Sequence, residues 1–177
     1  VMKDWIIYKN INVEGYKDII DNILTEDIYI ERGEYSTRGY NSMQYWLSSK
    51  KDLFTPIQDK VKNEIKSELK EFKIDHLNLL SAWTVLGQEN SYHTLHYHNK
   101  PINHISTVLY LDVPPEPTLD QSGDFYFLLK DENKDIHYNQ IQPKIGDLII
   151  MPVHTWHGAY PQAKGLRQTL NMDFEVI

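Results

Sequence analysis

Three of the chain's eight histidines fall within Tyr92-His93-Thr94-Leu95-His96-Tyr97-His98, among Tyr and Thr residues that favour strands. On a strand, side chains two apart share a face, so His96 and His98 point the same way and His93 and Leu95 take the opposite face. Two imidazoles so placed make half of a metal site. A catalytic site needs a third ligand from elsewhere and open positions for substrate. The donor expected here is His157, in Pro152-Val153-His154-Thr155-Trp156-His157-Gly158. The chain holds no cysteine, which excludes disulfides and thiolate ligands and leaves histidine and carboxylate as metal donors.

The remaining residues must build a frame that joins those two stretches. At 177 residues and 41% hydrophobic, the chain has the length and composition of one globular domain, residues 1–177. No apolar run approaches the roughly 20 residues that span a bilayer. The charged start has no signal-peptide pattern, and a cytoplasmic location is expected. A net charge of −7, from 25 acidic and 18 basic residues, argues against a broad nucleic-acid or membrane surface, though it leaves room for a local basic groove.

Residues 1–76 read as a helical N-terminal support. A short apolar strand at 5–8 precedes an amphipathic helix on Tyr16, Ile19, Ile20, Ile23 and Leu24. Residues 28–50 read as irregular, with a helical turn around 43–47. A second helix is signalled by Thr55 as N-cap, Pro56 at the first helical position and Gln58 completing a capping box. Ile57, Val61, Ile65 and Leu69 recur every four residues, with Phe72 beyond them; the lysines opposite are a solvated face.

From residue 77 the texture is β. Strands are expected at 77–86, 92–98, 105–113, 124–129, 136–141, 147–151 and 166–176. With the N-terminal strand this makes about eight short strands, the pattern of a sandwich or barrel covered by two helices. In the last strand Leu170, Met172, Phe174 and Val176 alternate with Arg167, Thr169, Asn171, Asp173 and Glu175. The polar face is either solvated, or it places Arg167, Thr169 and Asn171 on a wet cavity.

The order His96-x-His98, Gly123-Asp124, Gly146, His157, Pro161, Gly165, Arg167, Thr169 resembles the double-stranded β-helix (a jelly-roll or cupin-like barrel) of the Fe(II)/2-oxoglutarate-dependent oxygenases. His157, Pro161, Gly165 and Arg167 stand at the spacing of its prolyl-hydroxylase-like members. Trp83, Tyr92, His93, His96, His98, Tyr110-Leu111 and Ser122-Gly123-Asp124 are similar to oxygenases of marine bacteria and their phages. The resemblance covers residues 77–176. It implies a mainly β fold, Fe(II) held by His96, His98 and His157, and 2-oxoglutarate as co-substrate with its far carboxylate on Arg167, beside Thr169 and Asn171. It also implies a hydroxylase that consumes dioxygen, releases succinate and acts on a small molecule or peptide.

One departure bears on the metal. The family's usual carboxylate is replaced by His98. Either the site has three histidines, or Asp124 supplies the carboxylate and His98 stands behind. The shared face of His96 and His98 favours the first reading, and a turn role is the simpler one for Asp124. A histidine at this position fills the space that a halogenase leaves for halide. His93 and His154 are expected to point away from the metal, His104 and His137 to be ordinary surface or core residues, and Trp83, Trp156 and Tyr160 to pack. The loop 114–122 and the segment 28–50 are candidate lids. Rival readings are a three-histidine cupin enzyme without 2-oxoglutarate and a non-catalytic binding barrel.

Overall fold

The structure is a computed structural model that describes residues 4–25, 34–35, 38–115 and 121–177. The parts of the two candidate lids at 28–33, 36–37 and 116–120 lie outside the described residues.

Two helices cover one side. Helix α1 (Tyr16–Thr25) buries Ile20 and Ile23, and α2 (Thr55–Glu68) buries Ile57, Val61 and Ile65 at its four-residue spacing. Thr55 is not the cap. A 3-10 turn at Ser48–Phe54 runs straight into α2, so Thr55 already has helical angles and Phe54 is the capping residue, without a side-chain bond. The Gln58 amide donates to the Lys51 carbonyl instead of closing a capping box. Phe72 leaves the apolar stripe for a second 3-10 turn and is exposed.

The strands, all antiparallel, are β1 (Ile7–Asn10), β2 (Glu34–Tyr35), β3 (Gly39–Trp46), β4 (Leu77–His96), β5 (His104–Asp112), β6 (Phe125–Lys130), β7 (Ile136–Ile141), β8 (Asp147–Pro152), β9 (Trp156–Ala159) and β10 (Arg167–Val176). Among the described residues their order is β1-β8-β5-β10-β4-β9-β6-β7, with β3 paired to β4 and β2 to β3. The two strands expected at 77–86 and 92–98 are one strand, β4, because its ladder to β3 continues past the left-handed residue Asn90. The first part of β4 pairs with β10 and its last part with β9. The sheet therefore curls along β4 into a mainly β half-barrel.

Alternation along the central strands separates two apolar layers. Leu109, Leu148, Ile150, Leu170, Met172 and Phe174 pack outward with Ile20, Phe54, Ile57, Val61 and Ile65. Val108, Tyr110, Ile149 and Met151 face inward with Phe125 and Phe127. Each fully buried Leu, Ile or Phe contributes roughly 1.5–3 kcal/mol relative to exposure, so the helices fix the outer face of the sheet. The same parity turns the other face of β10 into the barrel.

The N-terminal third is less helical than its sequence implies. It gives the sheet β1, next to β8, and β3, next to β4. Strand β3 stands where an irregular segment with a helical turn is expected. Its alternation is broken by a register shift between Tyr40 and Ser42 and by the positive φ of Asn41. Strand β9 is unforeseen for a different reason: its four residues lie between prolines and are too few to show a period. Among the described residues no helix is long and apolar enough to cross a membrane.

Candidate metal centre

His96 closes β4 and stands in register with His157 of β9. His98 lies two residues past β4, where its backbone N–H donates to the Val153 carbonyl at 2.9 Å. The three rings converge: centroids are 4.4 Å apart for His96 and His157, 5.2 Å for His98 and His157, and 5.7 Å for His96 and His98. One ligating nitrogen from each lies within 4.8 Å of the others, the one such cluster of His, Cys, Asp and Glu among the described residues.

The hydrogen bonds decide which nitrogen faces inward. His96 Nδ1 lies 2.7 Å from the Thr94 carbonyl oxygen, and His157 Nδ1 lies 2.8 Å from that of Thr155. A carbonyl oxygen only accepts, so each Nδ1 carries the proton and each Nε2 keeps its lone pair. His98 Nδ1 faces Asp173 Oδ1 at 3.0 Å and Ser106 Oγ at 3.2 Å. Burial holds the His96 imidazole down at about 4, with the charges of His98 and Arg38 adding to it. Burial, then His96 and His98, pushes His157 well below its ordinary value. The His96 and His157 rings are neutral at physiological pH, the state that binds a metal ion. Imidazole donors suit iron, and three protein ligands leave positions open.

The histidines open on a cavity of about 380 Å³. Arg167, Thr169 and Asn171 of β10 line it, as the sharper reading of that strand's polar face implies, and Asp173 lines it with them. Arg167 is only 4% exposed. Its Nη2 makes one long contact, 3.5 Å to Ser91 Oγ, and its buried Nη1 has no hydrogen-bond partner. Burial lowers its pKa, yet a guanidinium stays charged. A buried cation with an orphaned donor fits the carboxylate of a ligand. Asn171 donates to Thr169 Oγ1 at 3.1 Å, which fixes both side chains beside it.

Other candidates fall elsewhere. Asp124 is buried with Oδ1 unpartnered and its pKa raised by burial, but it neither joins the histidines nor lines their cavity. His154 bonds Asp4, exposed His137 bonds Asp131, and His104 is buried outside the cavity. Trp156 packs on Tyr97, and the Tyr160 hydroxyl meets that of Tyr138. Trp83 packs 5.4 Å from His98 and forms a cavity wall.

Two residues differ from the sequence expectation. His93 lines the cavity rather than facing away, because the register of β4 on β9 shifts between His93 and His96. Its Nε2 lies 3.3 Å from Ser42 Oγ. Asp173 had no assigned role, yet it accepts from His98 and from Ser81. Its parity with Arg167 is the signal that could have found it.

By sequence no curated protein matches the chain. Solved structures share its fold. A prolyl-4-hydroxylase from Pseudomonas putida has TM-score 0.65 at 15% identity, covering 97% of this chain and 92% of its own. A viral collagen prolyl hydroxylase from Paramecium Bursaria Chlorella virus-1 has TM-score 0.64 at 16% identity, covering 97% of both chains. HygX from Streptomyces hygroscopicus, solved with nickel and 2-oxoglutarate bound, has TM-score 0.71 at 11% identity, covering 98% of this chain and 84% of its own. Residues 81–173 match the family model described as "Putative 2OG-Fe(II) oxygenase". That match takes in just over half of the chain, with His96, His98, His157 and Arg167 inside it, and the chain belongs to the family of 2OG-Fe(II) oxygenases, iron-dependent dioxygenases with 2-oxoglutarate as co-substrate.

Proposed function

We propose that the chain is a hydroxylase whose iron is held by Nε2 of His96, His98 and His157, and whose 2-oxoglutarate is anchored at its far carboxylate by Arg167, beside Thr169 and Asn171. The N-terminal helices support this single functional unit of residues 1–177. The carrying observation is the buried Arg167, with a partnerless Nη1, in the cavity of the three histidines. Bound iron and 2-oxoglutarate supply the oxidation: one atom of dioxygen leaves in succinate as the co-substrate loses carbon dioxide, and the other enters a substrate C–H bond as hydroxyl.

The chain's own residues position and shield. The Thr94 and Thr155 carbonyls and the Asp173 carboxylate hold the three Nδ1–H groups, which aims each Nε2 inward. Arg167 sets the distance of the co-substrate from the histidines. Trp83, Val108 and Phe125 keep apolar surface around the reacting end. A three-histidine cupin working without 2-oxoglutarate would leave the Arg167 nitrogen without a purpose.

Titration of the anaerobic Fe(II) protein with 2-oxoglutarate tests this, followed by the metal-to-ligand charge-transfer band. Wild type develops the band. Truncating one partner of a desolvated charge pair costs about 2–5 kcal/mol, so Arg167→Ala weakens 2-oxoglutarate roughly 30- to several-thousand-fold and retains iron. A wild type without the band refutes the co-substrate. An Arg167→Ala protein that binds as well as wild type refutes the anchor.

A further inference from the structure

His93 lines the cavity, yet in the proposed site it holds neither the iron nor the far carboxylate of 2-oxoglutarate. It stands on β4 between the two ends of that site. Ser91, two residues before it and on the same face of the strand, meets Arg167 Nη2 at 3.5 Å. His96 follows at the end of the strand, and its ring centroid lies 6.4 Å from that of His93. The charges of Arg167 and His96 both reach the His93 ring. A co-substrate stretched from the histidines to Arg167 therefore passes His93.

The neighbours of His93 hold it in place. Its carbonyl oxygen accepts from the Tyr126 hydroxyl at 3.3 Å. Its Nε2 lies 3.3 Å from Oγ of the buried Ser42 on β3. Gly39, in register with it, lets β3 close on the ring: a Cβ there would stand 2.7 Å from the Tyr92 carbonyl oxygen and 3.2 Å from His93 Nε2. The ring is neutral at physiological pH, so one nitrogen donates and the other accepts. Nδ1 makes no hydrogen bond among the described residues.

A bound 2-oxo acid calls for a donor at this place. When it chelates a metal through its keto oxygen and one carboxylate oxygen, the second carboxylate oxygen stays charged and faces the cavity. The ligand rings cannot serve that oxygen, because their Nδ1 atoms are engaged by Thr94, Thr155 and Asp173. Asn171 spends its amide on Thr169 and on the Trp83 carbonyl. A buried anionic oxygen left without a donor is costly.

We infer that His93 Nδ1–H donates to the metal-end carboxylate of the co-substrate, while Nε2 accepts from the Ser42 hydroxyl. A carboxylate only accepts, so its presence selects this tautomer, and Ser42 can donate to the nitrogen left bare. His93 and Arg167 then hold opposite ends of one molecule. This assignment rests on the oxygenase reading.

The test uses the full chain. Metal affinity is read by calorimetric titration with Ni(II), and co-substrate affinity by titrating 2-oxoglutarate into the anaerobic Fe(II) protein and following the charge-transfer band. His93→Leu is expected to keep its Ni(II) affinity and to bind 2-oxoglutarate about 10- to 100-fold more weakly, the loss for a hydrogen bond to a charged group. Its band should move to shorter wavelength, because the keto acid loses a donor that draws electron density from it. His93→Asn, whose amide nitrogen stands as many bonds from the backbone as Nδ1, should recover most of the affinity and the band position. A wild type that shows the band while His93→Leu binds equally well overturns this inference alone. So does a His93→Leu protein that binds weakly with the band unmoved, since the ring then acts by packing. His93→Asn as weak as His93→Leu overturns it, because the donor is then not at Nδ1. Loss of Ni(II) affinity in His93→Leu overturns it as well, because the ring then serves the metal or the fold. A wild type without the band overturns the co-substrate reading and this inference with it.

Discussion

At the scale of single residues, the proposed site has His98 where a carboxylate would give the metal a negative charge. A carboxylate stands one step further out. Asp173, 2% exposed, accepts from His98 Nδ1 and so makes the ring a better donor. Asp173→Asn is expected to cost about 10–100-fold in metal affinity with the fold intact. His98→Ala should lose most binding, and so should His157→Ala. Asp124→Ala should keep the metal, since its carboxylate lies away from the histidines. Calorimetric titration with Ni(II) or Fe(II) reads all four; metal loss in Asp124→Ala with retention in His98→Ala would restore a two-histidine, one-carboxylate site. The convergence of His96, His98 and His157, and the place of Arg167 on their cavity, were legible because residue type and spacing mark them directly. The role of Asp173 was not, because a carboxylate that orients a ligand differs in no local way from one on a solvated face. His93 was misread since strand parity fails across a bulge, and a bulge is set by the partner strand.

At the scale of elements, β9 has to bring His157 against His96, and its four residues lie between β4 and β6. Gly158 permits that approach. A Cβ there would meet the Tyr126 ring and would lie 2.8 Å from the His93 carbonyl oxygen, a backbone atom that cannot swing aside. Gly158→Ala should therefore push β9 off β4, with an overpacking cost of about 1–3 kcal/mol. Thermal unfolding should move down by several degrees, and metal affinity should fall because His157 moves with the strand. An unchanged midpoint and full metal affinity would show that β9 has slack. The long buried strands β5, β8 and β10 were readable from their apolar runs and alternation. Strands β3 and β9 were not, since β3 is broken by Asn41 and mixes polar with aromatic residues at the sheet's margin, and β9 is shorter than one informative window. Helix α2 was readable from its four-residue spacing, but its start was displaced because a 3-10 turn had already formed the first turn.

At the scale of the whole molecule, the class of fold followed from helices first and short strands after, while the strand order did not. Pairing of β4 with β10, β9 and β3 is a set of non-local choices made by packing, and one strand's sequence holds no record of its neighbours. The consequence of that topology is an enclosed cluster of histidines in an acidic chain, and it sets how the metal-free protein responds to acid. His93 is held down at about 3, first by burial and then by the charges of Arg167 and His96; His96 is held at about 4, again chiefly by burial. In the unfolded chain both titrate near 6.5. Below that pH the unfolded state binds protons that the folded state refuses, so stability must fall as pH falls, while above it neither state binds and the effect is flat. Each fully neutral buried histidine contributes a slope of at most about 1.4 kcal/mol per pH unit across the window. Denaturant unfolding of the metal-free protein is therefore expected to give equal stabilities at pH 7.5 and 8.5 and a steady loss from pH 6.5 to 4.5. A His93→Asn variant, which removes one of the refused protons, should show a shallower loss over that same window, whatever its stability at neutral pH. Parallel curves for the two proteins would mean that His93 is solvated in solution, and that the cavity beside Arg167 is open to water.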